Sequence, residues 1–237
     1  MKNQILLIAL ILLTITSCKK DDPGPSYSFD KSDLVLFRNG TTQLKVTGAT
    51  TEVFKYTSNN DNIASVSSTG LITGNRVGKT IIRVAYNNYK DSCNVSIMPL
   101  YNTFVEPITE FGISKSYLKS KEKRILYTES ATIAIYKGSR EEKYVSYFFE
   151  NDKLTSSAAI LSSSYSSAIG SYMAERYVIV SLSPVLGYSV DNKFMVGTSL
   201  SADLDWFVFY MPHTNKSSKI NSQINDASKK FSELLTK

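Results

Sequence analysis

The stretch GLITGNRVGKTIIRVAY at residues 70–86 contains the pattern that decides the fold of the N-terminal region. Its two apolar runs, Leu71-Ile72 and Ile81–Tyr86, are separated by turn residues, and the second run is rich in β-branched side chains. Such runs between glycine turns favour strands over helices. Gly70 and Gly78 stand where the chain must turn tightly, at positions that favour positive φ. We therefore predict two strands of an all-β structure.

The same pattern continues in both directions and covers residues 27–99. Upstream, Leu34–Phe37 runs into an Arg-Asn-Gly turn, and Thr42–Val46 alternates polar and apolar residues. Downstream, Cys93 alternates with two β-branched residues, which predicts a free, buried thiol that behaves as a small hydrophobe. Several short strands without a helical period predict a β-sandwich.

Five motif pieces in this region occur in the order of a known family. They are Tyr56-Thr57-Ser58, Ile63-Ala64-Ser65-Val66, Gly70-Leu71-Ile72-Thr73-Gly74, Gly78-Lys79-Thr80-Ile81-Ile82 and Cys93-Asn94-Val95-Ser96-Ile97. The region resembles the bacterial Ig-like domain, group 2, with Tyr56 where the family usually has Trp. The resemblance implies an Ig-like domain that serves as an adhesive module or as a spacer, and it identifies no ligand.

The first 26 residues predict an export signal and a lipid anchor. Ile5–Ile15 is an apolar run of eleven residues, whereas a spanning helix needs about 20, so the run fits a secretory signal. Ile15-Thr16-Ser17-Cys18 resembles the lipobox of bacterial lipoproteins, which implies cleavage before Cys18 and acylation of this residue, palmitate included. Residues 1–17 are thus a predicted lipoprotein signal peptide and residues 18–26 a lipidated flexible linker. An ordinary cleavable signal is the alternative.

The residues after Cys18 indicate in which membrane, and on which side of it, the protein is located. Lys19-Lys20-Asp21-Asp22 lacks the Asp that usually follows the Cys in lipoproteins retained at the inner membrane. A Lys followed by paired acids resembles the surface-export signal of Bacteroidota lipoproteins. The resemblance implies a lipid-anchored protein of the cell outer membrane that is exposed at the surface, with the periplasmic face as the alternative.

Residues 100–213 predict a second, α+β domain. A Ser N-cap at Ser114 and a 3.6-residue apolar period over Tyr165–Tyr177 indicate two helices. Strand patterns follow each helix, at 124–128, 132–137 and 144–150, and at 177–182, 188–190, 194–200 and 206–211. We interpret the order as a duplicated αβββ unit with both helices on one face of an antiparallel sheet. The chain as a whole is predicted to be mainly β.

Parts of this domain resemble the C-terminal module that follows Ig-like domains in uncharacterised Bacteroidales lipoproteins. The resembling residues are Glu106-Pro107, Phe111-Gly112-Ile113-Ser114, Leu126-Tyr127 and Tyr147-Phe148-Phe149. The resemblance implies common ancestry with this module, but it implies no mechanism.

Residues 214–237 form a Lys-rich tail with an amphipathic helical pattern. Apolar residues recur at spacings of three and four, at Ile220, Ile224, Ala227, Phe231 and Leu234/Leu235. The tail either docks on the preceding domain or is a loosely held end.

The distribution of charge argues against nucleic acid as a partner. The net charge is +6, from 27 Lys and Arg against 21 Asp and Glu. Residues 18–99 carry +3 and the tail +3, whereas residues 100–213 carry −1. A dense basic patch with interleaved aromatics, as nucleic-acid binding requires, is therefore not predicted.

The sequence contains no recognisable catalytic, metal or cofactor motif. One His and two Cys are too few for a multi-ligand His/Cys site. His213 fits an exposed turn residue, and Glu141-Glu142 a solvated hairpin tip. Asp203 and Asp205 could be compared with a glycosidase carboxylate pair, but carboxylates in a turn beside a strand are the simpler interpretation.

We predict that the aromatic strand following these carboxylates is a contact surface. Trp206, Phe207 and Phe209 are the candidate binding residues, with Asp203 and Asp205 beside them. Trp206 alternates with Val208 and Tyr210, and Phe207 with Phe209, so we expect one face buried and the other exposed.

Three hypotheses of function follow from these observations. The first is a non-catalytic envelope lipoprotein, in which an Ig-like stalk presents the C-terminal module for adhesion or for a glycan or protein ligand. The second is an envelope enzyme or enzyme inhibitor in residues 100–213. The third is a structural factor in envelope assembly.

Overall fold

The computed structural model describes residues 26–48, 51, 53–201, 205–213 and 220–235. The predictions for Cys18, for Asp203 and for residues 1–25 and 214–219 lie outside the described residues.

The N-terminal domain is a β-sandwich, as predicted. Its strands are β1 (Ser28–Phe29), β2 (Asp33–Phe37), β3 (Thr41–Gln43), β4 (Val46–Thr47), β5 (Lys55–Ser58), β6 (Ala64–Val66), β7 (Leu71–Gly74), β8 (Gly78–Tyr86) and β9 (Tyr89–Met98). One sheet has the order β2-β9-β8-β5, the other β3-β7-β6, and β1 pairs with β4. The apolar side chains of the two sheets form one core, which includes Leu44, Ile72, Ile82, Cys93 and Val95.

The glycines of the fold-determining stretch adopt the backbone that the sequence predicts. Gly70 has φ +84° and Gly78 has φ +148°, a region that side chains with a Cβ rarely enter. Gly74 serves close packing instead, because a Cβ at this position would lie 2.7 Å from the carbonyl oxygen of Phe37.

The thiol of Cys93 is fully buried, as predicted. Burial raises its pKa to about 11, so the reactive thiolate is scarce at neutral pH. In a Cys18→Ala variant, where Cys93 is the lone thiol, we expect no labelling by a thiol reagent in the native protein and full labelling in urea. Labelling at the same rate in both states would contradict the buried position.

The C-terminal domain is an eight-stranded antiparallel sheet covered by helices. Its elements are α1 (Lys115–Lys121), β10 (Leu126–Glu129), β11 (Ile133–Lys137), β12 (Glu142–Glu150), β13 (Lys153–Leu161), α2 (Ser166–Arg176), β14 (Val178–Leu182), β15 (Val185–Tyr188), β16 (Phe194–Ser201), β17 (Asp205–Pro212) and α3 (Ile220–Leu235). The strand order is β10-β11-β12-β13-β17-β16-β15-β14. Two four-stranded meanders therefore meet at β13 and β17, with Ala159 opposite Val208.

Each half is αββββ, so the proposed αβββ unit was one strand too short, although the four strand patterns assigned to the second half correspond to β14–β17. The strand that the prediction missed in the first half is β13. Its sequence, KLTSSAAIL, mixes small and polar residues that favour no strand strongly. As a central strand it is nevertheless buried along most of its length. In the second half, β15 begins at Val185, three residues before the predicted start.

The helices lie on both faces of this sheet. Leu118 of α1 and Ile169, Tyr172 and Met173 of α2 pack on one face, as predicted for the two helices. Ser114 caps α1, since its Oγ accepts the N–H of Tyr117 at 3.2 Å. The opposite face is covered by Ile224, Ala227 and Phe231 of α3, so the amphipathic tail is docked.

Polar contacts join the two domains at the end of the sandwich where β8 begins. The N–H of Val77 donates to the carbonyl of Glu175 at 2.7 Å, and Arg76 Nε donates to the carbonyl of Tyr177 at 2.8 Å. Val190, which follows β15, packs against the core of the sandwich. The near ends of β14 and β15 therefore lie against the Ig-like domain.

Candidate functional site

The predicted contact strand, β17, is buried on both faces. Phe207 and Phe209 lie in the core beneath α3, and Val208 and Tyr210 lie in the core beneath α2. The expectation of an exposed aromatic face is therefore wrong, because the tail helix covers it. Phe207 and Phe209 are core residues and not a contact surface.

Trp206, at the start of β17, is half-buried and borders an exposed apolar surface. Leu182 is 82% exposed and Leu200 60%. Leu182 lies opposite Val185, and Leu200 lies opposite Trp206, so each pair shares a face of the sheet. We call Leu182, Val185, Leu200 and Trp206, which line the same cleft, the corner patch.

The corner patch adjoins an open cleft of about 480 Å³ between the strand ends and α3. Pro184, Thr198 and Ile224 contribute to its walls together with members of the patch. Strand β14 is also an edge of the eight-stranded sheet, so part of its backbone is not paired within the sheet. Exposed apolar side chains beside a free edge are typical of protein–protein contact sites.

The corner patch lies at the end of the sheet remote from the Ig-like domain. Strand β14 starts at the contact with Arg76 and ends at Leu182, and β15 runs back from Val185. Five strand residues span about 17 Å. The fold thus separates the patch from the domain interface along the length of the strand.

Asp205 forms an ion pair with Lys143 at the border of the patch. The hydrogen bond from Lys143 lowers the pKa of the Asp205 carboxyl, which is therefore ionised at neutral pH. A glycosidase acid must carry a proton at that pH, so Asp205 does not suit that role. Its structural role is to hold the start of β17 to the start of β12.

The contacts of His213 are structural. Its Nδ1 lies 3.2 Å from the carbonyl oxygen of Asn192, and its ring packs on Tyr188 at 4.6 Å. Among the described residues, no group of three or more His, Cys, Asp and Glu side chains could hold a metal ion.

The most elaborate polar site in the domain is a buried ion cluster that the sequence did not predict. Arg124 Nη1 lies 3.0 Å from Glu122 Oε2, and Arg124 Nε lies 3.5 Å from Glu142 Oε1. All three side chains are buried, so Glu142 does not belong to a solvated hairpin tip as its sequence neighbourhood suggested. No sequence signal marked it, because Glu141 and Glu142 look alike and only the tertiary structure turns one of them inward.

The ion cluster holds the segment between the domains against the sheet. Arg124 Nη2 donates to the carbonyl of Val105 at 2.7 Å, and the hydroxyl of Tyr147 donates to Glu122. The N–H of Ile108 in turn donates to the Tyr147 hydroxyl at 3.1 Å. Arginine can bind both carboxylates and carbonyls because its planar group carries five donors.

A second group of buried polar side chains extends the same arrangement. The hydroxyl of Tyr177 donates to Glu106 and lies 3.3 Å from that of Tyr210. Burial raises the pKa of both tyrosines well above the ordinary value, so both hydroxyls stay protonated at neutral pH. The Glu175 carboxylate accepts the N–H groups of Leu100 and Tyr101, each at 3.0 Å. These groups fix the path of the chain and offer no free acid or base.

Comparison with known proteins identifies the N-terminal domain. Residues 25–95 match the family described as bacterial Ig-like domain (group 2). The chain carries a group 2 bacterial Ig-like domain. The match ends before the eight-stranded sheet, and no curated protein matches the chain.

The chain shows a weak likeness to three solved structures. An intimin mutant of EHEC O157:H7 is 14% identical, with a TM-score of 0.23, over 45% of this chain and 75% of that one. Domains 5–6 of the S-layer protein SbsC are 13% identical, with a TM-score of 0.26, over 81% and 85%. A longer SbsC fragment, domains 4–9, is 11% identical with a TM-score of 0.26, over 81% and 27%. TM-scores this low do not establish a shared fold.

In the part of the chain that the structure describes, no helix is long and apolar enough to cross a membrane.

Proposed function

We propose that this protein is a non-catalytic lipoprotein of the cell envelope whose Ig-like domain is a stalk and whose C-terminal domain binds a ligand through the corner patch. The observation that carries the proposal is the position of the patch. Its exposed Leu182 and Leu200 lie at the end of the sheet remote from the Ig-like domain. A stalk that enters from the other end would present this surface outward.

The aliphatic character of the patch favours a protein ligand for adhesion over a glycan. Carbohydrate sites commonly offer an open aromatic face, whereas Trp206 is half-buried and the exposed residues of the patch are leucines. Apolar side chains bordered by the Lys143–Asp205 ion pair match the composition of protein interfaces, with an apolar centre and a polar rim.

Binding by the full chain to immobilised matrix glycoproteins and to a glycan array tests this proposal. We expect Leu182→Ser and Leu200→Ser each to weaken binding to the recognised probe roughly tenfold. Val35→Ser is the matched control, because Val35 is an exposed apolar residue of the Ig-like domain. Wild-type affinity in both patch variants, or failure to bind any probe, would count against the patch as the ligand site.

The anchor is tested separately at Cys18. We expect the wild type to fractionate with membranes and Cys18→Ala to become soluble, because stable attachment depends on the acyl chains. A Cys18→Ala protein that stays with the membrane fraction would refute lipid anchoring. Digestion of the protein by protease added to intact cells would support surface exposure, and protection would favour the periplasmic face.

A further inference from the structure

Four aromatic rings cluster at the end of the Ig-like domain that is opposite the C-terminal domain. The ring of Tyr27 lies 5.5 Å from that of Phe54 and 5.2 Å from that of Tyr89, and Phe54 lies 5.3 Å from Tyr86. None of the four is fully buried, and the adjacent Val53 is 86% exposed. We call these five residues the aromatic tip.

The aromatic tip is also the place where the N-terminal chain enters the domain. Strand β8 begins at the contact with the C-terminal domain and ends at Tyr86, and β9 begins at Tyr89. Nine strand residues span about 30 Å, so the tip and the domain interface lie at opposite ends of the sandwich. Tyr27 is nine residues from Cys18, a segment of at most about 30 Å. A lipid on Cys18 would therefore keep the tip close to the bilayer.

Two basic side chains flank the aromatic tip, next to Asp91, whose carboxylate accepts the hydroxyl of Tyr89 at 3.1 Å. Lys55 and Lys90 lie on either side of Ala85 in neighbouring strands, so both project from the same face of the sheet. Both are exposed. Tyrosine rings favour the boundary between lipid and water, and lysines close to it are attracted by anionic headgroups. The composition of this surface therefore matches a lipid interface.

We propose that the aromatic tip is a lipid-contact surface that inserts into the headgroup region of the bilayer to which the protein is anchored. The proposal rests on the lipid anchor of the proposed function. In this orientation the aromatic tip of the Ig-like domain contacts the membrane. The corner patch then lies on the side of the molecule that faces away from the membrane. The occupant of this surface is the anionic bilayer and not a second protein.

The test uses the lipidated full chain, reconstituted in vesicles of phosphatidylethanolamine and phosphatidylglycerol. Val53→Cys, labelled with an environment-sensitive fluorophore, reports on the tip, because Cys93 is buried and Cys18 is acylated. Leu182→Cys is the matched control, since it is as exposed as Val53 and lies in the corner patch. We expect lipid-borne quenchers to quench the label at position 53 and not at 182, and a water-soluble quencher to do the reverse.

The outcomes separate the two proposals. Protein that does not float with the vesicles overturns the anchor, and the tip proposal with it. Protein that floats but whose label at 53 is open to the aqueous quencher overturns the tip proposal alone. Equal lipid quenching at 53 and 182 overturns it as well, because the molecule would then lie flat. A label at position 53 that is shielded from both quenchers would indicate a protein contact, and this result would also overturn the tip proposal.

Discussion

Arg124→Ala will lower the free energy of unfolding of the C-terminal domain by about 3–5 kcal/mol. Arg124 is the cation between the buried carboxylates of Glu122 and Glu142, and it also holds the carbonyl of Val105. Its removal leaves two carboxylates in the interior without their partner, and an unpaired buried charge is far more costly than a lost surface contact. Urea unfolding followed by circular dichroism measures the change.

Lys119→Ala is the matched control for this prediction. Lys119 pairs with Glu129 at 2.8 Å, but both side chains are exposed and Lys115 shares the same carboxylate. Exposed pairs contribute about 0–1 kcal/mol. If Arg124→Ala and Lys119→Ala lowered the free energy of unfolding by the same amount, burial would not determine the strength of the Arg124 cluster.

A double variant isolates the interaction between Arg124 and Glu142. If the cluster acts as a unit, Arg124→Ala combined with Glu142→Ala will cost less than the sum of the single changes, by about 0.5–3 kcal/mol. Strict additivity would mean that the two side chains do not depend on each other, despite the 3.5 Å between Arg124 Nε and Glu142 Oε1.

Phe231→Ala will destabilise the domain by a similar amount, about 3–5 kcal/mol. Phe231 is fully buried, and its ring lies 5.9 Å from that of Tyr144 and 6.3 Å from that of Phe207. It is the largest buried side chain of α3, and a helix of this length is barely stable without tertiary contacts. We expect amide hydrogens of residues 220–235 to exchange faster and a dye specific for apolar surfaces to bind over the exposed Phe207 and Phe209.

Lys229→Ala is the control on the same helix. Lys229 is exposed, so this change should alter stability by less than about 0.5 kcal/mol. If Phe231→Ala left the exchange rates of α3 at the level of this control, α3 would not depend on its contact with the sheet.

The sequence predicted well wherever local pattern and burial agree. The Ig-like domain could be predicted because its strands alternate and its turns need glycine, as the φ values of Gly70 and Gly78 show. The tail helix could be predicted from its period, because Ile224, Ala227 and Phe231 recur on one face and that face is buried. The N-cap at Ser114 followed from its own side chain, which needs only the next turn of helix.

The candidate site was harder to predict because exposure is a property of assembled elements. The aromatic run at 206–209 was predicted to be a contact surface, but nothing within it indicates that α3 covers Phe207 and Phe209 while Trp206 stays at the border of an open surface. The exposure of Leu182 and Leu200 was not predicted, because an isolated leucine in a strand pattern predicts a core position. They become a patch only where the ends of β14 and β16 extend beyond the covering helices.

The sequence by itself therefore determined the sandwich, the two helices on one face of a sheet and the amphipathic tail, all of which depend on residues close in the chain. The tertiary structure alone decided that each half has four strands, that Glu142 is buried beside Arg124 and that the exposed apolar residues meet at one corner. The physical reason is the range of the interactions. Turns, caps and periodicity act over a few residues, whereas burial and ion pairing depend on which distant segments come to lie against each other.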